Sequence, residues 1–268
     1  MSKSRDEYTE ANRIAWNEAA PRHAAHNNAA LFEAVRDPGF VSFDGEIRRV
    51  LDAVGVAGQA FIQLGCNNAR ETLSLSNMGA PRCVGVDASS EFLAHGRELI
   101  RIAGAGDRVE LIESDIYHLP AELNQQFDRV LVTIGVISWM PDLEGFFAVV
   151  RRLLKPGGLL VMEEMHPVLF MYEEDPDGGP STPQYSYFSG EVWEETTGLD
   201  YYGHEQYPSR PNYSFMHRLD EILMAGIAAG LRLERFTELD VDISNFCSDL
   251  EHSPVKPPLG FVMVMAAT

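Results

Sequence analysis

The sequence predicts an α/β protein built on a doubly wound sheet, and three observations carry that expectation. Apolar runs of strand length alternate with helical patterns from about residue 59 to 162. The stretch Phe61-Ile62-Gln63-Leu64-Gly65-Cys66-Asn67-Asn68-Ala69-Arg70-Glu71 is an apolar run, a tight polar turn and a helix start. About 20 residues on, Val84-Gly85-Val86-Asp87 is a second strand that ends in an acid. Alternation of this kind places helices on both faces of a parallel sheet.

The first turn and the second strand together make the layout of a nucleoside pocket. Loop backbone crowds a ligand, a helix start offers N–H groups, and the acid takes a ribose hydroxyl. The turn is a poor dinucleotide fingerprint, because only Gly65 remains and Asn67 and Ala69 stand where further glycines would fall. A ligand with a ribose and no phosphate fits better, S-adenosylmethionine among them. The plainer alternative is any strand-turn-helix with an acid at a strand end.

Composition narrows the classes. The 268 residues suffice for one large α/β domain or two small ones with a sizeable core. A net charge of −19, with no Lys/Arg cluster, argues against a nucleic-acid partner. Cys66, Cys83 and Cys247 are scattered and show no metal-ligand spacing, so no metal is expected and a reducing, cytoplasmic setting is. The polar start, residues 1–10, does not read as a signal peptide. No apolar run approaches the roughly 20 residues of a membrane span, so no membrane partner is expected.

Taken in order, residues 5–20 read as a helix that Pro21 breaks or kinks. A second short helix is expected over 28–35 and a third over 44–54, where Ile47, Val50, Leu51 and Val54 share a face. The alternation follows: strand 59–64, helix 69–78, strand 82–86, helix 90–103 capped by Asp87 or Ser89 and closed by Gly104. Next come strand 109–112, strand 127–134, helix 142–154 stopped by Lys155-Pro156-Gly157-Gly158, and strand 159–162. From 167 to 214 the pattern lapses into an aromatic stretch with nine acids (Glu173, Glu174, Asp175, Asp177, Glu191, Glu194, Glu195, Asp200, Glu205) and one base, Arg210. A connection of this length suits a lid or binding loop, with a strand or hairpin at 185–193. Helix 217–229, strand 231–239, a long loop 240–258 and a strand 260–266 complete the chain.

Together these segments resemble a class I S-adenosylmethionine-dependent methyltransferase of the small-molecule type. Gln63-Leu64-Gly65-Cys66-Asn67-Asn68-Ala69-Arg70 is similar to the first family motif, usually an acid followed by Leu-Gly-Cys-Gly-x-Gly. Val84-Gly85-Val86-Asp87-Ala88-Ser89 resembles the second, and Glu113-Ser114-Asp115-Ile116 the third. Phe127-Asp128-Arg129-Val130 opens the fourth strand, and Leu154-Lys155-Pro156-Gly157-Gly158-Leu159-Leu160 resembles the turn before the fifth. The resemblance implies a Rossmann-like seven-stranded sheet in the order 3-2-1-4-5-7-6, the last strand antiparallel. It implies N-terminal helices over residues 1–56, a core over 57–268, and a substrate cap inserted at 167–214. The cofactor would be S-adenosylmethionine, leaving as S-adenosylhomocysteine, at the carboxyl ends of the first, second and fourth strands. Gln63 brings no charge to the methionine ammonium, and Asn67 can adopt the left-handed backbone that Gly would supply.

The resemblance implies these roles. Gly65, Cys66, Asn67 and Asn68 form the cofactor turn; Asp87, with Ala88, binds the ribose, or Asp87 merely caps the next helix. Asp115 meets the adenine amine and Ile116 its face. Thr133, with Ile134, borders the methionine part. His23 or Arg22 closes over the methionine carboxylate, unless each is only solvated. His166, at the end of the fifth strand, is the candidate general base, with structural hydrogen bonding as the alternative. Trp16, Trp139, His166 and the insert's Tyr187 are candidate acceptor contacts, as are Tyr117 and His118. Methyl transfer is an in-line attack that alignment and desolvation alone can promote. The acceptor expected is a small molecule offering O, N, C or S, and the protein a monomer or homodimer. The rival readings are a non-catalytic binding module on the same fold, favoured by the altered first motif, and a nicotinamide-dependent reductase, which needs the missing glycines.

Overall fold

The computed structural model describes residues 3–173, 179–200, 203, 206–244 and 246–268. The insert's Glu174, Asp175, Asp177, Tyr201, Tyr202 and Glu205 lie outside these. The strands are β1 Ala60–Leu64, β2 Arg82–Asp87, β3 Val109–Glu113, β4 Phe127–Val132, β5 Leu154–Met165, β6 Tyr172–Glu173, β7 Thr182–Pro183, β8 Val192–Glu195, β9 Asn212–Phe215, β10 Leu231–Leu239 and β11 Gly260–Ala267. The α-helices are α1 Arg5–Ala34, α2 Gly45–Val54, α3 Arg70–Asn77, α4 Ser90–Ala103, α5 Leu143–Leu153 and α6 Leu219–Ala228.

Seven strands form one sheet in the order β3-β2-β1-β4-β5-β11-β10. The five strands β3 to β5 run parallel, and β11 enters antiparallel between β5 and β10. This is the expected Rossmann-like order, with the last strand reversed. Strand alternation sorts the core into two layers. Ile62, Leu64, Val130, Val132, Leu160 and Met162 face α5 and α6, meeting Phe146, Phe147, Val150, Leu153 and Ile222. Phe61, Leu131, Val161 and Val262 face the other way, onto Ile47, Val50 and Leu51 of α2, Leu73 and Leu75 of α3, and Leu99 and Ile100 of α4. Each such side chain contributes about 1.5–3 kcal/mol by leaving water.

Four sequence expectations need correction. Pro21 does not end the first helix: α1 runs through it and absorbs the short helix expected at 28–35. An internal Pro costs about 3 kcal/mol. Contacts on both sides of Pro21 outweigh that cost: Ala15, Ala19, Ala20, His23 and Leu31 are buried, and Asn12 and Asn17 bond to other elements. β4 stops at Val132, leaving Thr133 and Ile134 beyond the ladder, because Gly135 (φ +92°) turns the chain away. β5 begins at Leu154 and is carried through Pro156-Gly157-Gly158, with a register shift against β4 between Phe127 and Arg129. In the insert, the strand expected from 185 starts only at Val192 and pairs with β9; the residues before it turn, with Ser189 N–H donating to Ser186 O and Gly190 at φ +61°.

Candidate cofactor cleft and acceptor recess

The turn after β1 is held in left-handed backbone at three places, Gly65 (φ +69°), Asn67 (φ +50°) and Ala69 (φ +61°). The usual glycines are thus absent as residues, yet their conformation persists. Asn tolerates this conformation and stabilises it locally by accepting the Asn68 N–H at its own Oδ1, 2.8 Å away. Gly65 is required for another reason as well: a Cβ there would sit 2.6 Å from Val136 Cγ2. The Cys66 side chain is fully buried and its thiol is pushed well up by burial, so only its backbone belongs to the turn.

Asp87 faces this turn. Its Oδ2 accepts the Asn67 N–H at 2.8 Å and its Oδ1 accepts the Ser89 N–H at 2.8 Å. Burial raises the Asp87 carboxyl above the usual carboxylate range, and the backbone donors work against that shift. Each carboxylate oxygen keeps a further lone pair for a hydroxyl donor. Ala88 follows, half-buried. One strand over, Asp115 receives the Tyr117 N–H at Oδ1 (2.9 Å) and the Thr9 hydroxyl at Oδ2 (2.6 Å), with Ile116 buried beside it. The Ser114 N–H donates to Asp87 O at 3.0 Å, which ties the two acid-bearing strand ends together.

Helix α1 lies across these strand ends. Besides Thr9, its Asn17 Oδ1 accepts the Ser89 hydroxyl at 2.7 Å, and the Arg5 guanidinium lies over the Tyr117 ring, 4.5 Å from its centroid. The Trp16 ring meets Phe92 at 5.9 Å and Trp139 at 5.2 Å, both edge-on. His23 is buried, donates from Nε2 to Leu199 O at 2.6 Å, and is held below its ordinary value by burial, which leaves it neutral at pH 7. The Arg22 guanidinium stacks 3.5 Å from the Tyr207 ring centroid. His23 and Arg22 thus both reach the insert, and Trp16 and Trp139 meet edge-on.

A small recess, with room for about one water molecule, opens beside the ends of β4 and β5. Ile137, Met165, Pro167, Phe170, Phe215 and Ile222 wall it, and Ser138, Glu164 and His217 supply its polar groups. The carboxylate of Glu164 accepts Gly135 N–H at 2.7 Å and Ile137 N–H at 2.9 Å, fixing the loop after β4. Burial lifts Glu164 to about 7 against the pull of those amides. His217 Nε2 lies 2.7 Å from Met140 O. A carbonyl only accepts, so Nε2 carries the proton and the neutral ring keeps its lone pair on Nδ1. Burial lowers the His217 value, which keeps that lone pair available at neutral pH.

The remaining candidates fall outside this recess. His166 accepts the Val168 N–H at Nδ1 (3.2 Å), and its Nε2 lies 3.4 Å from Glu238 Oε1. Tyr187 accepts the Leu219 N–H at 2.9 Å and so caps α6. Thr133 accepts from Gln63 Nε2 at 3.1 Å. Tyr117 OH donates to Asp142 O at 2.9 Å, and His118 is exposed near Asp115. Sequence reasoning missed Glu164 and His217. The signal for the first was present: two consecutive acids, Glu163-Glu164, at the end of an apolar strand, where one must point into each core layer.

Comparison with known proteins adds the following. The family described as "Methyltransferase domain" matches residues 62–162. The chain is 31% identical over 107 residues to a tRNA U34 carboxymethyltransferase of Aliivibrio salmonicida, covering 40% of this chain and 32% of that protein. It is 25% identical over 120 residues to a sterol 24-C-methyltransferase of Pneumocystis carinii, covering 45% and 31%. The chain thus spans about a third of the length of these curated relatives. A putative S-adenosylmethionine-dependent methyltransferase structure from Listeria monocytogenes superposes with a TM-score of 0.63 at 13% identity, covering 83% of this chain and 98% of that one. Among the described residues, no helix is long and apolar enough to cross a membrane. Residues 62–162 thus match a methyltransferase domain, and the seven-stranded sheet with its reversed last strand is the fold of the S-adenosylmethionine-dependent methyltransferase structure it superposes on.

Proposed function

We propose that this protein transfers the methyl group of S-adenosylmethionine to a small-molecule acceptor. The observation that carries the reading is the turn of residues 64–69, held in left-handed backbone and hydrogen-bonded to the carboxylate of Asp87. The residues present fit the cofactor. Asp87 offers lone pairs to ribose hydroxyls, Asp115 and Ile116 offer an acceptor and an apolar face to adenine, and the turn offers close backbone. When bound, the cofactor supplies a methyl group activated on a sulfonium.

This chain's own residues do the rest. Glu164 holds residues 135–137, the edge shared by cleft and recess, so that acceptor and methyl donor can be aligned. Trp16 and Trp139 cover the junction and exclude water. His217 Nδ1 receives the acceptor's proton where the attacking atom carries one, because its ring faces the recess with Nε2 already committed to Met140 O. Residues 1–56 act as a cover through α1, and the insert at 167–214 caps the acceptor. A small acceptor is favoured over RNA by the net charge of −19, and by the exposed acids Glu173, Glu191, Glu194 and Glu195 in the insert.

Incubation with methyl-labelled S-adenosylmethionine and a panel of amines, phenols, carboxylic acids, thiols and sterols, with total tRNA and rRNA as separate arms, tests the reading. Label transfer to a small molecule supports it. Transfer to RNA alone overturns the acceptor class, and cofactor binding without any transfer leaves a binding module.

A further inference from the structure

A buried acid on β5, Glu163, has no task in the mechanism above. Glu163 sits near the end of β5, 7% exposed, and among the described residues its carboxyl takes part in no hydrogen bond or ion pair. The charges that act on it are all negative: Asp44 and Glu46 from the start of α2, Glu71 from the start of α3, and Glu164 on its own strand. The cations nearby are engaged with other carboxylates. Arg70 is 2.6 Å from Glu71, and Arg49 and Arg235 both pair with Glu46. Burial and these neighbours lift Glu163 to about 8. A carboxyl buried among carboxylates is costly unless a cation arrives to pair with it.

Its place in the sheet says which cation. Gln63 is level with Leu131, and Leu131 with Val161, so Gln63, Thr133 and Glu163 project on one face at the ends of β1, β4 and β5. Gln63 already bonds to Thr133, the middle member of that row. This is the face of α2 and α3, reached from the Gly65–Ala69 turn. The acceptor recess, with Glu164 and His217, lies on the opposite face. Gln63 stands where the family motif usually carries an acid, and it has no charge to offer.

We propose that Glu163, backed by Glu71 and Asp44, receives the α-ammonium group of the cofactor's methionine arm, supplying from the end of β5 the charge that Gln63 withholds at the end of β1. The inference rests on the cofactor reading above. It is tested with two ligands that share the nucleoside and differ in the amino-acid arm. S-adenosylhomocysteine carries the ammonium; methylthioadenosine lacks it. Calorimetric titration of wild type and Glu163→Gln at pH 7.5 is expected to show S-adenosylhomocysteine weakened at least about tenfold by the substitution, and methylthioadenosine unchanged within about twofold. Glu71→Gln is expected to weaken S-adenosylhomocysteine in the same direction and by less. Glu163→Gln is also expected to melt higher than wild type at pH 8 without ligand, because it removes an uncompensated buried charge; this confirms that it folds. Equal S-adenosylhomocysteine affinity in wild type and Glu163→Gln, or an equal loss for both ligands, overturns the proposal. A wild type that binds neither ligand overturns the cofactor reading itself.

Discussion

Replacing Asp87 by Asn separates the ligand role of this residue from its structural one. The carboxylate accepts two backbone N–H groups, from Asn67 and Ser89, each at 2.8 Å. An Asn side chain offers one oxygen, so its amide group must face one of the two donors. Leaving one buried amide without an acceptor costs about 1–3 kcal/mol. For a domain of this size that lowers Tm by about 2–4 °C per kcal/mol. The ligand effect adds to this. Hydrogen bonds to a charged acceptor contribute about 1.5–3 kcal/mol, so losing the charged partner of one ribose hydroxyl weakens binding on the order of 10- to 150-fold. Calorimetry with S-adenosylhomocysteine reads the second effect and a thermal melt reads the first. If Asp87→Asn melts lower but binds within about threefold of wild type, Asp87 is only a brace for the turn and the ribose assignment fails.

Ala69→Gly relieves a left-handed Ala at the start of α3 and is expected to raise stability by about 0.5–1 kcal/mol, read as a higher urea midpoint. His217→Gln is expected to leave S-adenosylhomocysteine affinity unchanged while lowering turnover and flattening its acid limb with a proton-bearing acceptor; an unchanged pH profile removes His217 as the base. Stability is expected to fall as pH rises. Glu163 and Glu164 hold protons in the folded chain up to about 8 and about 7, well above an ordinary carboxyl. The unfolded chain binds fewer protons over that span, so their contribution is complete below about pH 4.5 and is lost as pH climbs through the folded values. Urea midpoints at pH 6 and pH 8 measure this, and Glu163→Gln is expected to flatten the difference.

What could be read from the sequence follows from how local each determinant is. α4 runs over Ser90–Ala103 as expected, because its ends are set by neighbours in the chain: Ser89 Oγ accepts the Phe92 N–H and Gly104 turns left-handed. The strand order was accessible because the motifs at 63–70, 84–89 and 113–116 each mark a strand end. The path of α1 through Pro21 was not, since it depends on packing against α4 and β9, which lie far away in the chain. The same holds for the placement of the two histidines. His166 is conspicuous after a strand, but its ring is turned toward Glu238 and Phe261. His217 reaches the recess only because β9 places it there, stacked on Phe215 and bonded to Met140 O. The Asn67 reading succeeded because one residue's backbone tolerance decides it. Ala69 in the same conformation is a strain that no local rule favours.

A crystal structure of the protein grown with saturating S-adenosylhomocysteine tests the central claim most directly. The account predicts density for adenosine between Asp87 and Ile116, with ribose hydroxyls on the Asp87 carboxylate and the adenine amine at Asp115. Ligand density elsewhere but not at this site, or no ligand density at all, would contradict it.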